Sequence, residues 1–249
     1  MLYKQLEEIF PVGSVSRQIR VTNLRFSQFL VYMSGAQDIT VDSSNLRLTV
    51  TVNNVGKAGK NIVIINNVPI SDFINLTELL KGQGYFGQHL YGATVKYNKA
   101  TALIQAGDFA LSVSDMVIDI SGTVSQDVRL KFYVVRVQDG LPYITYQRRS
   151  IGTDGALFPN VLRLFDVSSG PDSTNVTTLT FEDNSQVDIP HDAAFLLSIS
   201  KNSDKDGNMP VPFGEIFKDK DNRFGRAVKF QPVEAFDAFI VQFNRFMLS

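Results

Sequence analysis

Along most of this chain, polar and apolar residues alternate with a period of two. In "NLRLTVTV" Leu46, Leu48, Val50 and Val52 alternate with Asn45, Arg47, Thr49 and Thr51, and in "DVRLKFYV" Val128, Leu130, Phe132 and Val134 alternate with Asp127, Arg129, Lys131 and Tyr133. Successive side chains of a strand point to opposite faces, so each segment predicts an antiparallel strand with one buried and one wet face. The same reading extends to "QIRVTNL", "QFLVYM", "NIVIINN", "ATVKYN", "FALSVS", "MVIDIS", "YITYQRR", "VLRLFDV", "VTTLTFE", "AFLLSIS", "RAVKFQP" and "AFDAFIVQFNRF". Turn formers separate them, among them Asn53, Asn54, Gly56, Gly59, Asp139-Gly140, Gly170-Pro171 and Asp206-Gly207. Two segments depart from the period. Leu2, Leu6, Ile9 and Phe10 fall at spacings of four, three and one, which predicts a short N-terminal helix with these residues near one face. That face docks either on the protein's own body or on a partner or membrane surface. In "SDFINLTELL", Ser71 or Asp72 is placed to cap a helix carrying Ile74, Leu76, Leu79 and Leu80.

Fourteen strand segments joined by short turns predict an all-β chain of sandwiches or barrels. One barrel usually needs about eight strands, so the count favours two domains, 1–140 and 141–249, divided around "QDGLPYITYQRRSIGTDG". An internal parallel points the same way. "NIVIINNVPISDFINLTELL" and "TTLTFEDNSQVDIPHDAAFLLSIS" both run from strand through polar turn to proline, then to an Asp followed by an apolar run. The match is one of pattern and not of identity, which leaves duplication of one fold open. The last strand has apolar groups on both faces, Phe236, Ala238 and Ile240 against Phe239, Val241 and Phe243, as expected of a strand central in a covered sheet or of one at an interface.

Composition adds exclusions. With 249 residues, 44% hydrophobic and 19 Phe, the chain can bury a large core. Lys and Arg total 24 against 25 Asp and Glu, and neither half is basic, so direct sequence-specific nucleic-acid binding is not expected. The absence of cysteine excludes disulfides, thiolate zinc sites, iron–sulfur clusters and a cysteine nucleophile. "MLYKQLEEIF" has no apolar run like that of a signal peptide, and no stretch approaches the ~20 residues of a membrane span, so folding in solution is expected.

Catalytic chemistry finds little support. His89 and His191 lie about a hundred residues apart in different halves, unlike the converging imidazoles of a metal barrel; His191, after Pro190, reads as a helix-start residue and His89 as a loop residue. No G-x-S-x-G elbow occurs. Gly82, Gly84 and Gly87 have the G-x-G-x-x-G spacing but follow a helical pattern instead of a strand, the wrong context for a dinucleotide fingerprint. Nothing selects a carboxylate pair for glycoside hydrolysis, and the lack of Trp weakens a sugar-binding reading. "DKDGNMPVPFGE" places Asp204, Asp206 and Asn208 at alternate positions with Glu215 twelfth, the spacing of a calcium loop. Met209 stands where a calcium hand needs glycine, and Pro210 and Pro212 follow, which excludes the hand. The loop keeps Asp204, Asp206 and Glu215 as candidate ligands of a weak calcium site; no other cofactor is expected.

The N-terminal "MLYKQLEEIF" before "QIRVTNL", the proline-then-helix segments "VPISDFINLTELL" and "IPHDAAFLLS", the passage "YITYQRRSIGTDG" and the final "DAFIVQFNRF" together resemble a known family. It is the double jelly-roll major capsid proteins of tailless icosahedral phages that enclose a membrane, the corticoviruses and tectiviruses. The resemblance covers the whole length as an ordering of elements and rests on no diagnostic motif. It implies two tandem jelly-roll β-barrels with short helices, three copies forming a pseudo-hexameric capsomer, and capsomers tiling a shell. It implies no catalytic residues and location in the virion after synthesis in the host cytoplasm. The implied partners are further copies of the chain, other capsid or penton proteins, and an internal viral membrane reached through the N-terminal helix. The alternative is a β-sandwich receptor- or carbohydrate-binding protein such as a phage spike or adhesin.

Overall fold

The computed structural model describes residues 2–24, 26–37, 46–55, 59–81, 99–107, 114–135, 143–158, 161–167, 172–193 and 227–244. The chain forms two compact units, the first of residues 1–145 with 245–249 and the second of residues 146–244, so that the strand over 143–151 begins in the first and continues in the second.

In the first unit β1 (Leu2–Phe10), β8 (Val128–Val135), β3 (Gln28–Gly35) and β6 (Lys99–Gln105) form one sheet in the order β1-β8-β3-β6. The second sheet holds β5 (Lys60–Pro69), β4 (Arg47–Val55), β7 (Ser114–Val124) and β2 (Gly13–Leu24) in the order β5-β4-β7-β2. These strands pair antiparallel, the first with the eighth, the second with the seventh, the third with the sixth and the fourth with the fifth. The third also meets the eighth, and the fourth the seventh. This is a long hairpin wrapped on itself, a jelly roll.

Alternation builds the core. Val128, Leu130, Phe132 and Val134 of β8 and Leu48, Val50 and Val52 of β4 are fully buried, while their neighbours in sequence are not. Phe26, Phe29 and Phe132 form an aromatic chain, with ring centroids 5.2 and 5.4 Å apart. The helix α1 (Ile70–Lys81) follows β5, and the Ile70 amide donates to the Leu46 carbonyl at 2.8 Å. Ser71 and Asp72, expected as caps, lie inside its first turn, where the Asp72 charge suits the positive end of the helix. Helix α1 packs against β6, and β6 is buried on both faces, Leu103 and Gln105 as well as Ala100, Ala102 and Ile104. A strand covered on both sides loses its alternation, so "KATALIQ" carries no period-two signal.

The N-terminal helix is a correction: residues 2–10 are the strand β1 at the edge of the first sheet. The register with β8 shifts between Lys4 and Leu6, so one extra residue bulges from β1 and the two-residue period skips a step. Leu6 and Phe10 then sit opposite the buried Phe132 and Val128, with Glu8 between them opposite Leu130. The skipped step and one inward charge leave apolar residues at spacings that imitate a helix. Glu8 is bonded to Arg17 of β2, the edge of the other sheet, so the seam of the barrel carries an ion pair.

In the second unit β11 (Val161–Asp166), β15 (Phe236–Asn244) and β9 (Tyr143–Ile151) are ordered β11-β15-β9. β10 (Ala156–Leu157), β14 (Ala227–Pro232), β12 (Val176–Phe181) and β13 (Gln186–Pro190) are ordered β10-β14-β12-β13. Every described strand here occupies the place of a strand in the first unit: β9-β15-β11 matches β1-β8-β3, and β10-β14-β12-β13 matches β2-β7-β4-β5. Only the place of β6 has no counterpart among the described strands. The topology is therefore that of a duplicated jelly roll.

Its core joins Ile151, Phe158, Val161, Leu164, Leu179, Phe181, Phe230, Phe236, Ala238 and Ile240. On the other face of the same sheet Tyr146, Phe239 and Phe165 stack across three adjacent strands, with centroids 6.2 and 5.8 Å apart. The last strand is thus central and covered on both faces, Phe236 and Ile240 on one, Phe239 on the other.

One turn has a testable requirement. Gly155, just before β10, has φ +82° and its Cβ position lies 2.8 Å from the Phe230 carbonyl oxygen. Gly155→Ala combines a left-handed backbone with a backbone clash, and thermal denaturation will register a loss of about 1–3 kcal/mol.

Candidate functional site

The densest polar chemistry among the described residues lies inside the second unit, where strand β13 ends at Pro190 and residues 191–193 make a helical turn. His191 opens that turn, as its position after proline predicts, but it is neither solvated nor isolated. Its Nδ1 lies 2.5 Å from Asp166 Oδ2 and its Nε2 2.7 Å from Thr177 Oγ1. Asp166 ends β11 and Thr177 lies near the start of β12, so the turn is tied to both sheets of the barrel. A carboxylate only accepts, so Nδ1–H donates to Asp166, and in the neutral ring Nε2 accepts from the Thr177 hydroxyl. The His191 ring meets Phe236 edge to face, with centroids 4.9 Å apart.

A second layer fixes the backbone. The His191 amide donates to the Asn175 carbonyl at 2.9 Å; the Asn175 side chain donates to the Glu234 carbonyl at 2.8 Å and accepts from the Glu234 amide at 2.9 Å. Asp166, Thr177 and His191 are 2%, 3% and 5% exposed. A hydroxyl, an imidazole and a carboxylate in a row are the parts of a nucleophilic triad, but a nucleophile must reach substrate, and this hydroxyl is enclosed. What the arrangement does here is hold a strand start, a strand end and a helical turn together. In sequence the signal for it was weak: the Asp at the end of "VLRLFD" and the Thr of "VTTLTF" lie far from His191, and only the fold brings them together.

The calcium candidates Asp204, Asp206 and Glu215, with Asn208, lie outside the described residues, as do His89 and the glycines Gly82, Gly84 and Gly87. Among the described residues no group of three His, Asp or Glu side chains is placed to hold a metal ion. Of the residues expected to face a partner or membrane, Leu6 and Phe10 are 7% and 5% exposed and belong to the barrel core, while Ile9 is 58% exposed. Of the two alternatives for this face, the partner- or membrane-facing one is therefore corrected for Leu6 and Phe10: the bulged strand turns them inward onto the protein's own body. Among the described residues no helix is long and apolar enough to cross a membrane.

The outward face of β1 is charged. Lys4 and Lys131 donate to Glu7 at 2.8 and 3.1 Å, and these bonds hold its carboxyl pKa down to about 2 from 4.5. A carboxylate with a lowered folded-state pKa contributes stability above its unfolded pKa and loses it as pH falls toward the folded one. The difference in melting temperature between the protein and Glu7→Gln will be full above about pH 4.5 and vanish as pH falls toward 2. In the second unit the outer face of β12 and β13 is polar and hydrogen-bonded, with Thr178 donating to Asp188 at 2.7 Å and Gln186 to Thr180 at 3.5 Å. Among the described residues of this unit, Leu157 on β10 and Val233 after β14 are the most exposed large apolar side chains, at 72% and 66%.

No protein-family model matches the chain, and no curated protein matches it. Among solved structures it is similar to the crystal structure of the STIV major capsid protein, with TM-score 0.52 and 10% identity over 98% of this chain and 96% of that one. It is similar as well to a chain in the atomic structure of Sulfolobus turreted icosahedral virus, with TM-score 0.52 and 10% identity over 97% of this chain and 90% of that one. The described residues have the fold of a jelly-roll viral capsid protein.

Proposed function

We propose that the chain is the major capsid protein of a tailless icosahedral virus and works by self-association. The observation that carries this reading is the same jelly-roll order written twice in one chain, with nearly all of the chain and nearly all of a viral major capsid protein aligning. Three copies bring six barrels of one topology, so a trimer can present near-sixfold sides to its neighbours and tile a closed shell. The partners of this reading are further copies, then penton and other capsid proteins, in a virion assembled after synthesis in the host cytoplasm. No enzymatic step belongs to it, and the enclosed Asp166–His191–Thr177 row is structural. If the shell covers a membrane, contact falls to surfaces other than Leu6 and Phe10.

Size-exclusion chromatography with light scattering tests the reading. A species of three times the 27.7 kDa chain, growing into sheets or shells visible by electron microscopy on concentration, is expected. A stable monomer with affinity for glycans would overturn it in favour of a carbohydrate-binding protein. The acidic loop is tested separately by calcium titration against melting temperature. An ion site predicts a calcium-dependent rise that Asp204→Ala/Asp206→Ala abolishes; identical responses dispose of it.

A further inference from the structure

The two barrels correspond in hydrogen bonding and register, residue by residue, at one corner. The amide that opens the helical segment donates to the carbonyl just before the fourth strand of its barrel in both, Ile70 to Leu46 and His191 to Asn175. Arg47 pairs with Pro69 as Val176 pairs with Pro190. The correspondence makes Leu46, Leu48 and Ile70 the counterparts of Asn175, Thr177 and His191. The first set is wholly apolar and 0–1% exposed; the second is polar, equally enclosed, and completed by Asp166 of β11, whereas β3 "QFLVYMSG" carries no acidic residue.

We propose that this corner is a pairing code that keeps strands of the two barrels apart during folding. A chain that repeats one topology can assemble an element of one barrel into the other, the characteristic error of repeated domains. Here the error is penalised in both directions. Ile70 in the place of His191 would leave the Asp166 carboxylate and the Thr177 hydroxyl enclosed and deprived of the imidazole that bonds to both. His191 in the place of Ile70 would bury an imidazole against Leu46 and Leu48. Removing the hydrogen-bond donor to a buried carboxylate costs on the order of a hundredfold to a thousandfold in the folding equilibrium, while the matched corner keeps that bond. Buried polar groups that fix register act in this way, by making the wrong partner worse.

The lack of cysteine permits a direct test. Thr178 pairs with Asp188, and Thr49 is the counterpart of Thr178, two residues on from the matched Arg47 and Val176. Cysteines at 49, 178 and 188 therefore report correct pairing as a 178–188 disulfide and exchange as a 49–188 disulfide after oxidative refolding of the full chain from urea, read by peptide mass. With the native corner, 178–188 is expected to dominate. With Asp166→Leu/Thr177→Val/His191→Leu, which makes the corner apolar, the 49–188 fraction is expected to rise at least tenfold. Thr177→Val alone removes one hydroxyl and keeps the shape, and is expected to give a smaller rise of the same sign. An unchanged 49–188 fraction in Thr177→Val and in the triple variant, or in Thr177→Val alone if the triple variant does not refold, overturns the proposal.

Discussion

Replacing His191 by alanine will destabilise the second unit by about 3–5 kcal/mol, far more than the loss of packing alone would require. The imidazole is the donor to a carboxylate that is 2% exposed, and its removal leaves Asp166 charged, enclosed and short of that bond. The carboxylate must then take up a proton, admit water or open the turn over 191–193, and each path costs stability. The control is Asp166→Leu/His191→Leu, in which both partners become apolar. Its loss is expected to be well under half that of His191→Ala, because no unpaired charge remains. Urea unfolding midpoints at neutral pH measure both. A single variant no worse than the double one would show that the pair carries no such dependence.

Phe132→Ala is expected to cost a similar amount, about 3–5 kcal/mol, by a different route. Phe132 lies at the centre of β8, fully buried, opposite Val31 of β3 and against the Phe29 ring. Its truncation leaves a cavity between two sheets whose spacing is fixed by the rest of the core. At this chain length each kcal/mol moves the melting temperature by about 2–4 °C, so a fall of about 10 °C is the expected reading by calorimetry. A fall of under about 3 °C would mean that the barrel closes over the gap, contrary to the interlocked packing described.

Strands with one wet face were legible in the sequence for a physical reason, since a half-buried strand writes its burial directly into alternation, as β4 and β8 do. The helix α1 was legible from its apolar period, and the parallel between its approach and that of His191 was visible as pattern. What was hidden had its signal cancelled by context. The bulge in β1 broke the period at Gln5, burial of β6 on both faces erased its alternation, and β10 is only two residues long. The corner around His191 was hidden by distance, because a hydrogen-bonded triplet drawn from residues 166, 177 and 191 has no fixed spacing to read.

The matched anchors at the two corners also mark where the chain can grow. Ile70 lies twenty-four positions after Leu46 and His191 sixteen positions after Asn175, a difference of eight between the same two hydrogen-bonded points. The hairpin between them has thus accepted a change of half its shorter length while its base stayed fixed. In the shorter copy the tip is a closed turn, with the Asn184 amide bonded to the Phe181 carbonyl, the Phe181 amide to the Ser185 carbonyl, and Asn184 at φ 60°. Lengthening a closed loop costs only about 0.6 kcal/mol per doubling. Residues 182–185 are therefore the place to graft a foreign peptide for display on the protein's surface, with the barrel beneath left to fold as before.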